Sequence, residues 1–220
     1  MSSKKPLSFQ KFVTGPAEAP QHLVVLLHGL GASGEDMLPI ARFWGKSLDN
    51  TLFLAPDAPF PFDQGMPGYP GHQWFSLKDY DPEIIKAGLE TVEPIVNTFI
   101  DEQIAAWGLT NSRCVISGFS QGSALALHVG LRRVRPACIV SLSGGIFYPE
   151  PETQLGQPPV MLLHGSEDTV VSVDVMHASQ HYLWTKGVEA ETYICEGIGH
   201  SVNEEGLRRS AAFIKKHLYV

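Results

Sequence analysis

Short runs of aliphatic and β-branched residues punctuate the chain: LVVLLH at 23–28, TLFLAP at 51–56, CVISGF at 114–119, CIVSLSGG at 138–145, VMLLHG at 160–165 and TYIC at 192–195. Each is apolar at consecutive rather than alternate positions. A strand with one face in water alternates, whereas a strand covered on both faces reads as a continuous apolar run. Helix-length segments at 35–48, 82–107, 121–133, 174–187 and 203–218 lie between or after these runs. The alternation predicts an α/β fold with a mainly parallel sheet flanked by helices. In the second helical segment Ile84, Ile85, Leu89, Val92, Ile95, Val96, Phe99 and Ile100 recur near helical spacing. Pro94 stands among them and is expected to kink or divide the helix, because proline removes a hydrogen bond and crowds the preceding turn.

No internal repeat, low-complexity linker or break in composition interrupts the pattern, so residues 1–220 are expected to form a single domain. The irregular stretch is PFPFDQGMPGYPGHQWF, residues 59–75, whose prolines and glycines suit neither regular structure. It is expected to be an extended loop, either carrying a binding surface or packed on its own aromatics.

Composition narrows the class. With 44% apolar and 18% charged residues over 220 positions, the chain has the balance of a globular protein able to bury a full core. The formal charge of −7 and the lack of a basic run interleaved with aromatics argue against nucleic acid as a partner. The N-terminal MSSKKPLSFQKF leads into no apolar core of signal-peptide length. Nowhere do about 18 apolar residues follow one another, so neither export nor stable membrane insertion is expected, and the expected location is cytoplasmic. The three cysteines, Cys114, Cys138 and Cys195, lie in apolar runs without CxxC spacing. They read as buried free thiols in a reducing compartment rather than as disulfides or metal ligands.

Candidate chemistry centres on GFSQG at 118–122. An apolar strand leads into this G-x-S-x-G motif and a helix of small residues leads out, which is the setting of a nucleophile elbow. Gly118 and Gly122 supply the small flanks that a tight turn needs, and Ser120 is exposed above a helix N-terminus that favours developing negative charge. A serine hydroxyl needs a histidine base and an orienting acid. Of the nine histidines, His177, His181 and His217 fall in predicted helices, His128 lies on the helix after the elbow, and His164 ends a buried strand. His200, in GIGHSV, stands in a loop after a strand. For the acid, LLHGSEDTVV offers Asp168 and Glu167 in one loop, while Asp174 suits the first turn of the next helix. Oxyanion donors are expected from the N–H of Gln121 and, through the glycines of HGLGASGED, from that of Leu30. A nucleotide-binding role for that loop is disfavoured, since no lysine follows its glycines.

Together LLHGLGASGEDM, GFSQGSALAL, LLHGSEDTVV and GIGHSV resemble the small phospholipase/carboxylesterase family of α/β-hydrolases, which includes acyl-protein thioesterases and bacterial carboxylesterases. APDAPFP and QWF add to the likeness, which runs nearly end to end. The resemblance selects Asp168 as the acid and implies a Ser120–Asp168–His200 triad, an oxyanion hole at Leu30 and Gln121, and hydrolysis of esters or thioesters without metal or cofactor. Ser123, where many relatives carry a third glycine, and GASGED, in place of a more usual aspartate-bearing loop, depart from the family pattern. Only IFYPEPETQLGQPP, 146–159, occupies the usual place of a cap, so no large cap domain is expected. Pocket walls are expected from Leu30, Trp74, Phe75, Phe147 and Val170. The expected substrates are small-molecule or lipid esters and thioesters of short to medium acyl chains, with lysophospholipids or acylated protein cysteines as longer-chain alternatives. The chain is expected to act as a monomer or homodimer. A peptidase of the same fold and a non-catalytic binding module are the competing readings, the latter disfavoured by a complete set of triad residues.

Overall fold

The computed structural model describes residues 6–16, 18–78, 81–149 and 155–219. The chain opens with β1 (Phe9–Val13) and β2 (His22–Leu27). A 3₁₀ turn at Gly34–Met37 runs into α1 (Leu38–Trp44), followed by β3 (Thr51–Pro56), β4 (Phe60–Pro61), β5 (His72–Gln73) and α2 (Pro82–Ala106). Then come β6 (Cys114–Phe119), α3 (Gln121–Arg132), β7 (Cys138–Leu142), β8 (Val160–Gly165), α4 (Val173–Thr185), β9 (Ala190–Cys195) and α5 (Glu204–Leu218). Seven strands form one sheet in the order β1-β3-β2-β6-β7-β8-β9, parallel throughout except for β1, which pairs antiparallel with β3.

The continuous apolar runs are explained by a core on each face. Leu23, Val25 and Leu27 of β2 point into one core with residues of α2, α3 and α4, including Leu89, Val96, Leu125 and Leu183. Val24 and Leu26 point into the other with Trp44 of α1 and Phe213 and Ile214 of α5. Successive side chains of a strand face opposite ways, so both parities must be apolar. Each such aliphatic side chain contributes about 1.5–3 kcal/mol on full burial.

Several elements differ from expectation. Segment 35–48 is a 3₁₀ turn and a short helix rather than one helix, and β9, at the sheet edge, is half-exposed and starts at Ala190. β1 was not anticipated: its FQKFV sequence is mixed and largely exposed. Loop 59–75 contains a small antiparallel ladder of β4 and β5. Pro94 divides nothing; α2 runs unbroken from Pro82 to Ala106. Pro94 and Glu90, whose carbonyl loses its partner, both lie on the exposed side of α2, where water can replace the lost bond. Lys4, Lys5 and residues 150–154 of the segment between β7 and β8 lie outside the described residues. That segment spans only 143–159, too short for a large cap, and its described parts pack Ile146, Phe147 and Leu155 onto the core. Among the described residues no helix is long and apolar enough to cross a membrane.

β2 is central because the chain leaves it for β3 on one side and later returns to β6 on the other. Ligand sites in such sheets form outside the carboxyl ends of the strands at this reversal. Leu27 of β2 lies opposite Gly118 of β6, and Phe119 opposite Leu142, so the loops after β2 and β6 emerge at one level.

Candidate active site

Between the last residue of β6 and the first of α3 a single residue, Ser120, turns the chain, with φ +53° and ψ −116°. Such a conformation costs a non-glycine residue roughly 1–3 kcal/mol and persists only where its surroundings impose it. Its N–H donates to the Leu142 carbonyl at 2.9 Å, and the Ser123 N–H donates to its carbonyl at 3.0 Å. The motif glycines answer to contact: a Cβ at Gly118 would run into the Gly122 carbonyl, and one at Gly122 into the Leu27 carbonyl. Ser123, one of the departures from the family pattern, is buried with its hydroxyl 2.6 Å from that of Ser141.

Asp168 follows β8 and His200 follows β9, and the two loops converge on Ser120. His200 Nε2 lies 2.9 Å from Ser120 Oγ and Nδ1 lies 2.7 Å from Asp168 Oδ2. A carboxylate only accepts, so Nδ1 carries the proton and the Nε2 lone pair faces the serine hydroxyl. Asp168 Oδ1 accepts from the N–H groups of Val170 and Val171, each at 2.9 Å. His164 Nε2 stands 3.2 Å from Oδ2 and 2.8 Å from the Val171 carbonyl. Burial pushes the Asp168 carboxyl up, but the hydrogen bond from His200 and those from Val171 and Val170 outweigh it, and the group rests below its usual value. Glu167 is exposed, and Asp174 is engaged with Ser172 in the first turn of α4. His128 pairs with Glu93 at 2.9 Å.

Beside Ser120 and His200 opens a cavity of about 350 Å³ lined by Leu30, Phe75, Gln121, Phe147 and Val170, together with Leu77, Ile85, Ala124, Val171, Ser172 and Val175. Leu77, Ile85, Ala124, Val171, Ser172 and Val175 were not among the expected walls; Ile85 was legible only as one position of the buried stripe of α2. Trp74 is a correction: it is completely buried and lines no part of this cavity. Both side chains belong to the same buried core, and of the two only Phe75 also reaches the cavity. The Trp74 indole N–H donates to the His28 carbonyl at 2.9 Å. Gln121, the first residue of α3, has its main-chain N–H outside the helical ladder. Its side chain accepts from the Trp74 N–H at 3.0 Å and donates to the Phe75 carbonyl at 2.7 Å.

The loop after β2 is fastened at several points. His28 accepts the Ala58 N–H at Nε2, 3.0 Å away, so its Nδ1 carries the proton and donates to the Gly29 carbonyl at 2.7 Å. Gly31, at φ +75°, donates to the His72 carbonyl at 2.8 Å. Gly34 donates to Asp57 and Ser33 to Asp36, each at 2.8 Å, so the aspartate of GASGED closes its own loop. A larger surface groove of about 580 Å³, along Trp184 and Ala190, shares no residue with the Ser120 cavity. Among the described residues no group of three or more His, Cys, Asp or Glu side chains could hold a metal ion.

A family model described as Phospholipase/Carboxylesterase matches residues 9–218. Acyl-protein thioesterase 1 of Gibberella zeae is 28% identical over 222 residues, covering 91% of this chain and 93% of that protein. Carboxylesterase SOBER1 of Arabidopsis thaliana is 29% identical over 208 residues, covering 89% and 90%. The crystal structure of esterase PE8 is similar with a TM-score of 0.88 at 34% identity, over 97% of this chain and 100% of that one. The sheet order, the elbow and these likenesses agree: the chain belongs to the phospholipase/carboxylesterase family of α/β-hydrolases and is a hydrolase.

Proposed function

We propose that this protein is a serine esterase or thioesterase that cleaves short to medium acyl chains through Ser120, His200 and Asp168. The observation that carries the reading is the unbroken hydrogen-bonded line from Asp168 through His200 to the strained Ser120, at 2.7 and 2.9 Å. Ser120 Oγ attacks the acyl carbonyl as its proton passes to His200 Nε2, and Asp168 steadies the imidazolium. The oxygen that becomes negative is met by the N–H groups of Leu30 and Gln121. The bond to the alcohol or thiol breaks, His200 returns the proton to that leaving group, and an acyl-serine remains. Water then attacks the acyl carbon, giving its proton to His200, and His200 passes that proton to Ser120 Oγ as the serine–acyl bond breaks and the acid is released.

Chain length is inferred from the cavity, whose 350 Å³ lies near the small end of the range for ligand sites and whose walls at Phe75, Phe147 and Val170 suit hydrocarbon. The test is kcat/KM on nitrophenyl esters from acetate to palmitate, with Ser120→Ala as control. The expected rate peaks at short to medium chains and falls on the order of 10⁴-fold or more in Ser120→Ala. A rate that climbs towards palmitate replaces the chain-length assignment with a long-chain lysophospholipase or acyl-protein thioesterase. Hydrolysis that survives in Ser120→Ala, or failure of a fluorophosphonate to label Ser120, overturns the serine mechanism.

A further inference from the structure

The two proposed oxyanion donors belong to segments far apart in the chain: Leu30 follows β2, whereas Gln121 begins α3. Stabilising the oxyanion requires both N–H groups at a fixed separation, since a hydrogen bond weakens steeply once distance or angle is lost. One buried residue joins the two segments. The Trp74 indole N–H donates to the carbonyl of His28, two residues before Leu30, while its main-chain N–H donates to the side chain of Gln121. The Gln121 amide donates back to the Phe75 carbonyl, so its oxygen and nitrogen grip consecutive residues of one segment. Trp74 also packs against the His28 ring, with centroids 5.3 Å apart. A tryptophan serving only as core filling needs one acceptor for its indole N–H. Here both of its N–H groups go to the two arms of the site, one each.

We propose that Trp74 and the Gln121 side chain are positioning residues, a cross-brace that sets the spacing between the Leu30 and Gln121 N–H groups. The inference rests on the oxyanion assignment made above. Trp74→Phe keeps an aromatic ring and removes the bond to His28. Gln121→Met keeps length and removes both side-chain bonds while leaving the Gln121 main-chain N–H in place.

The experiment compares wild type with both variants, using kcat and KM on the preferred nitrophenyl ester and inhibition by two ketones of matched shape. A trifluoromethyl ketone takes Ser120 Oγ onto its carbonyl carbon and leaves a negative oxygen in the hole; the methyl ketone binds without that charge. The expected result is a 10- to 100-fold fall in kcat with KM within about twofold, and a matching loss of trifluoromethyl ketone affinity. Methyl ketone affinity is expected to hold. The double variant is expected to lose less than the product of the single losses, because both changes break one brace. Variants that are folded by circular dichroism and melt earlier, yet keep kcat and the preference for the trifluoromethyl ketone, overturn the proposal. Should Trp74→Phe not fold, Gln121→Met decides alone. If wild type itself shows no such preference between the ketones, the oxyanion assignment fails instead, which separates the two outcomes.

Discussion

Four polar groups converge on the Asp168 carboxylate: the N–H groups of Val170 and Val171, His200 Nδ1 and His164 Nε2. Burial pushes the carboxyl up, but the bonds from His200, Val171 and Val170 outweigh it and hold the group below its usual range. A carboxyl depressed by folding contributes stability that is present above its unfolded value, about 3.9, and is lost as pH falls through the folded one. Urea unfolding of wild type and Asp168→Asn is therefore expected to show a stability difference that is constant from about pH 8 to 5 and shrinks below about pH 4. Ester hydrolysis by Asp168→Asn is expected to fall about 10⁴-fold at neutral pH, since the amide can present its NH₂ to Nδ1 and favour the wrong tautomer. The candidate triad was legible because each member follows an apolar run, where an open sheet keeps its site. Trp74 was not, because the facing of irregular loop residues has no period to read. His164 was expected to be structural, and its contact with Asp168 depends on β8 and its loop folding back.

At the scale of elements, α2 shows that a proline need not end a helix when the carbonyl it deprives faces water. Pro94 is exposed, and its own carbonyl accepts the Thr98 hydroxyl at 2.7 Å. The helix still lacks one hydrogen bond. Pro94→Ala is expected to raise stability by about 1–2 kcal/mol, the roughly 3 kcal/mol penalty of an interior proline being offset by greater freedom of the unfolded chain and by water at Glu90. The midpoint and slope of urea denaturation check this, and an unchanged midpoint shows that the helix has already absorbed the defect. Strands buried on both faces were legible almost to the residue, since nothing else demands an apolar side chain at every position. β1 and the outer half of β9 were not, because edge strands meet the core on fewer sides and admit polar residues.

For the molecule as a whole, the order of strands could not be read from the chain, which records runs but not neighbours. The placement of thiols could, and it carries a prediction. Cys114, Cys138 and Cys195 are all fully buried; burial pushes the Cys114 thiol up to about 12 and raises the other two. The native protein at pH 8 is expected to resist a disulfide reagent, with the three thiols reacting together once urea unfolds it. Stepwise reaction without denaturant means instead that part of the sheet opens alone. Finally, His200 lies beyond β9, the last strand of this sheet in chain order. A growing chain can set Ser120 in its bend and assemble the sheet through β8 while it still lacks a base. On the proposed roles the ribosome-bound protein is chemically silent until β9 has been made, and its hydrolytic power begins only when that strand docks.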